Sequence, residues 1–163
     1  MRKRIIQQHT QGTLPDQDQD WLDLEHLVQV ELTSEDPEYP IESALTVNSG
    51  PGWRAQQAGQ QTIRLLFDKP QSIKHIKLVF QEDERARTQE FTLHWSSDIA
   101  ASRREIVRQQ YNFSPPSVNR ECEDYAVDLD GLTLLELSII PDISVSGWWH
   151  RLARFLCVPQ LMS

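Results

Sequence analysis

Cysteine is scarce here, with two in 163 residues. Cys122 and Cys157 lie far apart in the chain, and neither belongs to a close pair with zinc or redox spacing. They are expected to be free, partly buried thiols. Long hydrophobic runs are also missing. No stretch approaches the ~18 apolar residues that a bilayer span requires, so no membrane insertion is expected. The start, MRKRIIQQHTQGTLPDQDQD, is basic but offers only Ile5 and Ile6 where a signal peptide carries its apolar run. Without a route to an oxidising compartment, the chain is expected to be a cytoplasmic protein of bacterial type. Positive charge is in deficit: 16 Lys and Arg face 24 Asp and Glu, a formal net charge of −8. That balance disfavours nucleic acid and anionic membrane surfaces as partners.

Catalytic signatures are missing too. There is no Gly-x-Ser-x-Gly elbow, phosphate loop or dinucleotide glycine fingerprint. The histidines at 9, 26, 75, 94 and 150 are scattered, without metal-ligand spacing. Glu121, Glu123, Asp124, Asp128 and Asp130 form a dense acidic run. Paired carboxylates can hydrolyse glycosides, but this run lacks a partnered polar cluster and is expected to be a solvated face. Arg103, Arg104 and Arg108 make a local basic patch whose expected role is salt bridging to the acidic surplus. No enzyme, catalytic residue or metal site is expected.

What is present is a globular composition, 39% hydrophobic and 25% charged, long enough for one domain with a real core. Residues 1–20 read as a flexible polar tail, and 21–163 as the folded domain. The segment WLDLEHLVQVEL opens as a short helix or strand and ends as a strand. Pro37 and Pro40 then forbid a long helix or central strand, leaving one helical turn at 43–45. Period-two alternation marks strands at 62–68, with Ile63, Leu65 and Phe67 on one face, and at 73–80, with Ile76, Leu78 and Phe80. The link DKPQS reads as a turn, and QEDERARTQ as an exposed loop. Further strands are expected at 90–96, 104–114, 121–131, 132–142 and 151–158. About eight short strands without a long helix or an internal repeat indicate an all-β, antiparallel sandwich.

The string TSEDPEYPIESAL, then GWRA, then QTIRLLFDKPQSIKHIKLVF, then TQEFTLHWSSD resembles the discoidin, or galactose-binding-like, domains. It is also similar to the domain of this fold at the N-terminus of a single-strand-break repair scaffold. The matching positions are Trp53, Ile63 to Phe67, Pro70, and Ile73 to Phe80. The resemblance implies a jelly roll whose rim loops bind sugars, proteins or lipid surfaces without catalysis. Such domains often carry an Asp-Gly before the tryptophan in a calcium-bearing loop. This chain reads TVNSGPGW instead, so the carboxylate is gone; backbone carbonyls and the nearest acids, Glu35, Asp36 and Glu42, remain. No cofactor is expected.

Two aromatic–basic clusters are the candidate ligand-binding residues. Trp53 either plugs one end of the core or stacks on a ligand. Arg54 either pairs with an acidic loop or meets a ligand's carboxylate or phosphate. Trp148 and Trp149, with His150, precede the last strand, where neighbouring residues point to opposite faces. At least one of these tryptophans is then expected to be free to stack on a sugar or anchor a partner. The expected partner is a carbohydrate or similar small polar ligand held at one rim. The alternative is an intracellular protein-interaction or assembly subunit, with a homo-oligomer compatible with either.

Overall fold

The computed structural model describes residues 21–46, 51–98, 100, 102–144 and 156–162, with backbone alone at 156–160. The elements run α1 (Leu24–Leu27), β1 (Val28–Leu32), α2 (Ile41–Leu45), β2 (Gln61–Gln81), β3 (Arg87–Ser96), β4 (Arg104–Phe113), β5 (Arg120–Ile140) and β6 (Leu156–Met162). All pairings between strands are antiparallel. The ambiguous segment after Trp21 turns out to be both things in succession, one helical turn and then a strand.

β2 and β5 organise the architecture. Each is 21 residues long, and each was expected as two strands. The DKPQS turn is instead an interval of bulges inside β2. The register against β5 shifts three times between Leu66 and His75, and residues 67–70 have no β5 partner. Pro70 falls in that interval, where its missing N–H leaves no β5 ladder bond unmade. Gly131 does the corresponding work in β5 at φ 69°, a left-handed conformation that costs glycine little. The two corners therefore reduce the expected eight strands to six among the described residues.

Bending divides the molecule into two layers. One has the order β1, first half of β2, second half of β5, β3, β4. The other has β6, second half of β2, first half of β5. Inward residues from both layers, among them Leu65, Leu137, Ile76, Leu78 and Leu161, line the same apolar interior. Phe80 and Phe91 meet across it with ring centroids 5.2 Å apart. Among the described strands β6 pairs with β2 alone, its other side meeting the chain only at Trp21 and Leu22, so Pro159 lies on an edge strand, where proline is tolerated. Its expected span began at 151, but residues 151–155 lie outside the described set.

The cysteines flank β2 on opposite sides, Cys122 paired with Val79 and Cys157 with Phe80. Two strand spacings, ~9.6 Å, exceed the ~7 Å Cα reach of a disulfide. Cys122 is exposed, not partly buried.

Strand direction gathers the loops. β1 ends, β2 starts and β5 ends side by side, with Leu32 opposite Ile63 and Gln61 opposite Ile139. β3 starts and β4 ends at this level, with Arg87 opposite Phe113. In the second layer, β2 ends while β5 and β6 start, with Gln81 opposite both Arg120 and Leu156. One rim thus carries the 33–60 loop, the 82–86 turn and the 114–119 loop. The chain also leaves β5 and enters β6 there. The strand corners and α1 occupy the opposite end.

Candidate functional site

Trp53 closes one side of this rim. Its side chain is 0% exposed, and its Nε1–H donates to the Ser34 carbonyl at 3.0 Å. Ser34 is the knot of the loop. Its Oγ–H donates to Gln61 Oε1 at 2.8 Å, and the same oxygen accepts from the Gln56 and Gln57 amides. Gln61, also buried, returns hydrogen bonds to the carbonyls of Gln57 and Gly59. A fully buried ring offers no face to a ligand, which corrects the assignment of Trp53 as a ligand-binding residue. Of its two expected roles, the structure selects the plug.

Arg54, one residue on, faces the other way. Its backbone is pinned twice against the proline-containing segment: its N–H donates to the Tyr39 carbonyl at 3.2 Å, and its carbonyl accepts from Asp36 N at 2.9 Å. The guanidinium lies over the Tyr39 ring, 4.0 Å from its centroid. Nε is buried and has no hydrogen-bond acceptor, and Arg54 forms no ion pair among the described residues. The expected pairing with the acidic loop is therefore not made. Glu35 accepts the Ile41 amide at 2.9 Å at the start of α2, and Asp36 accepts the Glu38 amide at 3.0 Å. These carboxylates serve their own loop. Tyr39 had no signal of its own in the sequence. It lies between two prolines, outside any periodic segment, and meets Arg54 only through the fold.

The other side of the rim is closed by charge. Glu82 and Arg87, expected in an exposed loop, are 1% and 4% exposed. Arg87 Nε donates to Glu82 Oε1 at 2.7 Å, and Nη1 donates to Gln89 Oε1 and the Pro141 carbonyl. The guanidinium also lies over Phe113, 4.6 Å from the ring centroid. Gln89 reaches across the sandwich to Glu121 Oε1 at 3.3 Å. Glu121 is 1% exposed, and its Oε2 is buried without a hydrogen-bond partner. Burial pushes its carboxyl up to about 8; Glu123 adds to the rise, while Arg87 and Gln89 oppose it. Burial likewise lowers Arg87, against the pull of Glu82. The expected solvated acidic face therefore splits in two. Asp124, Asp128 and Asp130 point outward to His75, Lys74 and Ser72, while Glu121 is enclosed. Alternation carried the signal: Glu121 and Glu123 share parity with Tyr125, Val127 and Leu129.

The remaining candidates fall in different places. Trp148, Trp149 and His150 lie outside the described residues, as does His9. Arg103 pairs with Glu136, and Arg108 with Glu90 and Glu105, while Arg104 lies over the Trp95 ring at 5.5 Å. A concavity of about 630 Å³ runs along β1 and β2 between Glu31, Thr33, Thr62 and Arg64. Its cation is committed, since Arg64 pairs with Glu136 at 2.6 Å and Glu31 at 3.6 Å. No group of three or more His, Cys, Asp or Glu among the described residues is gathered to hold a metal ion. The acids nearest a calcium loop, Glu35 and Asp36, are bonded to backbone amides and do not form a cage. No helix among the described residues is long and apolar enough to cross a membrane.

No family model matches the chain, and no curated protein matches it. Solved structures do. The family 32 carbohydrate-binding module of Clostridium perfringens NanJ, in complex with galactose, superposes with a TM-score of 0.60 at 11% identity, over 88% of this chain and 98% of that one. The family 32 module of AlyQ, in complex with 4,5-unsaturated mannuronic acid, gives 0.53 at 15% identity, over 83% and 95%. Reduced XRCC1, bound to the DNA polymerase β catalytic domain, gives 0.58 at 13% identity, over 88% and 99%. The expected cytoplasmic location is corrected here: the likeness to carbohydrate-binding modules speaks against it. That expectation rests on the first residues of the sequence, which do not fix a compartment. The chain has the discoidin, or galactose-binding-like, jelly-roll fold, and it resembles non-catalytic carbohydrate-binding modules.

Proposed function

We propose that this chain is a non-catalytic binding module that takes a saccharide at the rim beside Tyr39 and Arg54. The observation that carries the reading is Arg54: a cation fixed by two backbone hydrogen bonds and a ring contact, with a buried Nε–H that has no acceptor. Tyr39 supplies an aromatic surface beside it, and sugar recognition combines such surfaces with a few fixed polar groups. The structures with bound galactose and unsaturated mannuronic acid support a sugar as the ligand class. Trp148, Trp149 and His150 belong to the same proposal, since the chain leaves Ile140 and re-enters at Leu156 on this rim.

The test is a saccharide screen by ligand-observed NMR on wild type, Arg54→Ala, Tyr39→Ala and Trp148→Ala. Saturable binding is expected for the wild type and is weakened in folded Arg54→Ala. Binding that survives all three substitutions would place the site elsewhere.

A second reading, a protein-interaction module, is favoured by one observation. The large hydrophobics most exposed among the described residues are Val118, Ile140 and Ile143, at 40%, 36% and 39%, and all three sit at this rim. Exposed apolar groups gathered in one region mark contact surfaces. The XRCC1 structure, bound to a polymerase domain, shows the fold in that use in another protein. Sedimentation of the purified chain, with Ile140→Asp and Ile143→Asp beside it, tests for self-association through these residues.

A further inference from the structure

We infer that the saccharide taken at the Tyr39–Arg54 rim carries a carboxylate and belongs to the uronic acid class, an inference that rests on the sugar-binding reading above. Among the described arginines that hold no carboxylate, Arg54 is the one whose Nε–H is buried without an acceptor. Arg64, Arg87 and Arg108 all hold carboxylates at 3.0 Å or less. Arg54 holds none, although the chain has 24 acids to 16 bases and the adjoining 35–42 segment contains Glu35, Asp36, Glu38 and Glu42. Glu35 and Asp36 are turned to the Ile41 and Glu38 amides. The loop thus keeps its own carboxylates off a guanidinium that it holds in place.

A guanidinium left in that state selects its ligand by chemistry. Its planar fork matches a carboxylate with two parallel hydrogen bonds, and charge-assisted bonds of this kind are about twice as strong as neutral ones. A sugar hydroxyl meets the same fork through one oxygen and leaves the charge uncompensated. The Tyr39 ring already covers one face of the guanidinium, so the ligand's carboxylate approaches in the guanidinium plane, where the N–H groups point.

The experiment compares galacturonate, its methyl ester and galactose, with glucuronate and glucose as a second stereochemical pair. Binding is followed by chemical-shift titration of the full chain, using wild type, Arg54→Gln and Arg54→Lys, each checked for native amide dispersion. Galacturonate or glucuronate is expected to bind at least about tenfold more tightly than its neutral counterparts, the scale of one charge-assisted hydrogen bond. Arg54→Gln removes that preference, and Arg54→Lys keeps the charge but loses the bidentate part. If neutral sugars bind as well as uronates, the carboxylate inference is overturned while the sugar-binding reading stands. If no sugar of either kind shifts any resonance, both fall. A uronate preference that persists in Arg54→Gln also overturns the inference, because another cation would then be reading the carboxylate.

Discussion

Trp53 and Arg87 close the same end of one sandwich by opposite chemistry. Trp53 brings a large apolar ring with a single polar atom, and one carbonyl satisfies it. Arg87 brings a charge that needs Glu82, Gln89, the Pro141 carbonyl and the Phe113 ring to lie buried. The apolar plug depends on few partners and gains from the area it removes from water. The charged plug must recover a desolvation penalty of several kcal/mol per ion, and it does so only while its network is whole. The contrast teaches why a ligand site is proposed beside Trp53 rather than beside Arg87. Around Arg87 the cation is consumed by structure. Around Trp53 the structural work is done by the ring, and the neighbouring cation is left over.

The largest effects should come from breaking either plug. Trp53→Ala is expected to cost about 3–5 kcal/mol in urea unfolding, the range for a buried aromatic truncated to alanine. Arg87→Met should cost a comparable ~3–5 kcal/mol, because it strands the Glu82 carboxylate in a dry site. The plugs then part company. Adding Glu82→Leu to Arg87→Met should return stability to within about 2 kcal/mol of wild type, since an apolar replacement of a whole buried pair is often neutral or better. A double variant as damaged as Arg87→Met alone would mean that the network, rather than the lone charge, is what the fold requires.

Glu121 gives a smaller and more specific signal. Its folded-state value is raised from 4.5 to about 8, so the native chain holds a proton that the unfolded chain has released. That contribution is complete below about pH 4.5 and declines as pH rises toward about 8. Glu121→Gln should remove this decline, leaving unfolding free energies flatter across the same window when denaturation is repeated at several pH values. An unchanged slope would show that Glu121 is ionised in the fold. The smallest effect is expected at Arg54: Arg54→Gln should change stability by no more than about 1 kcal/mol, the scale of its contact with Tyr39. A larger loss would move Arg54 into the same structural class as Arg87.

Much of the sandwich was legible along the chain. Ile63, Leu65 and Phe67, then Ile76, Leu78 and Phe80, alternate as strands with one buried face must, and each of them is buried. The corners were less legible, because Pro70 and Gly131 look the same in sequence whether a strand stops or bends. The charged plug was misread for a different reason. Arg87, Glu82 and Glu121 sit among other charges, and composition says solvent where parity says interior. Of the candidate site, Arg54 could be singled out as a cation beside a tryptophan. Tyr39 could not, since nothing local marks a residue whose partner is supplied by the path of a loop.

The long β2–β5 ladder also has a consequence during synthesis. Nearly every inward residue of β2, from Ile63 to Phe80, waits for a partner on β5, which leaves the ribosome later. At elongation rates of about 5–20 residues per second, that interval is on the order of several seconds. Until it closes, the nascent chain displays two apolar strand faces with unpaired edges. The moment of greatest exposure to aggregation for this protein therefore comes before residue 140 has been made, and substitutions that leave the finished sandwich untouched can still lower its yield.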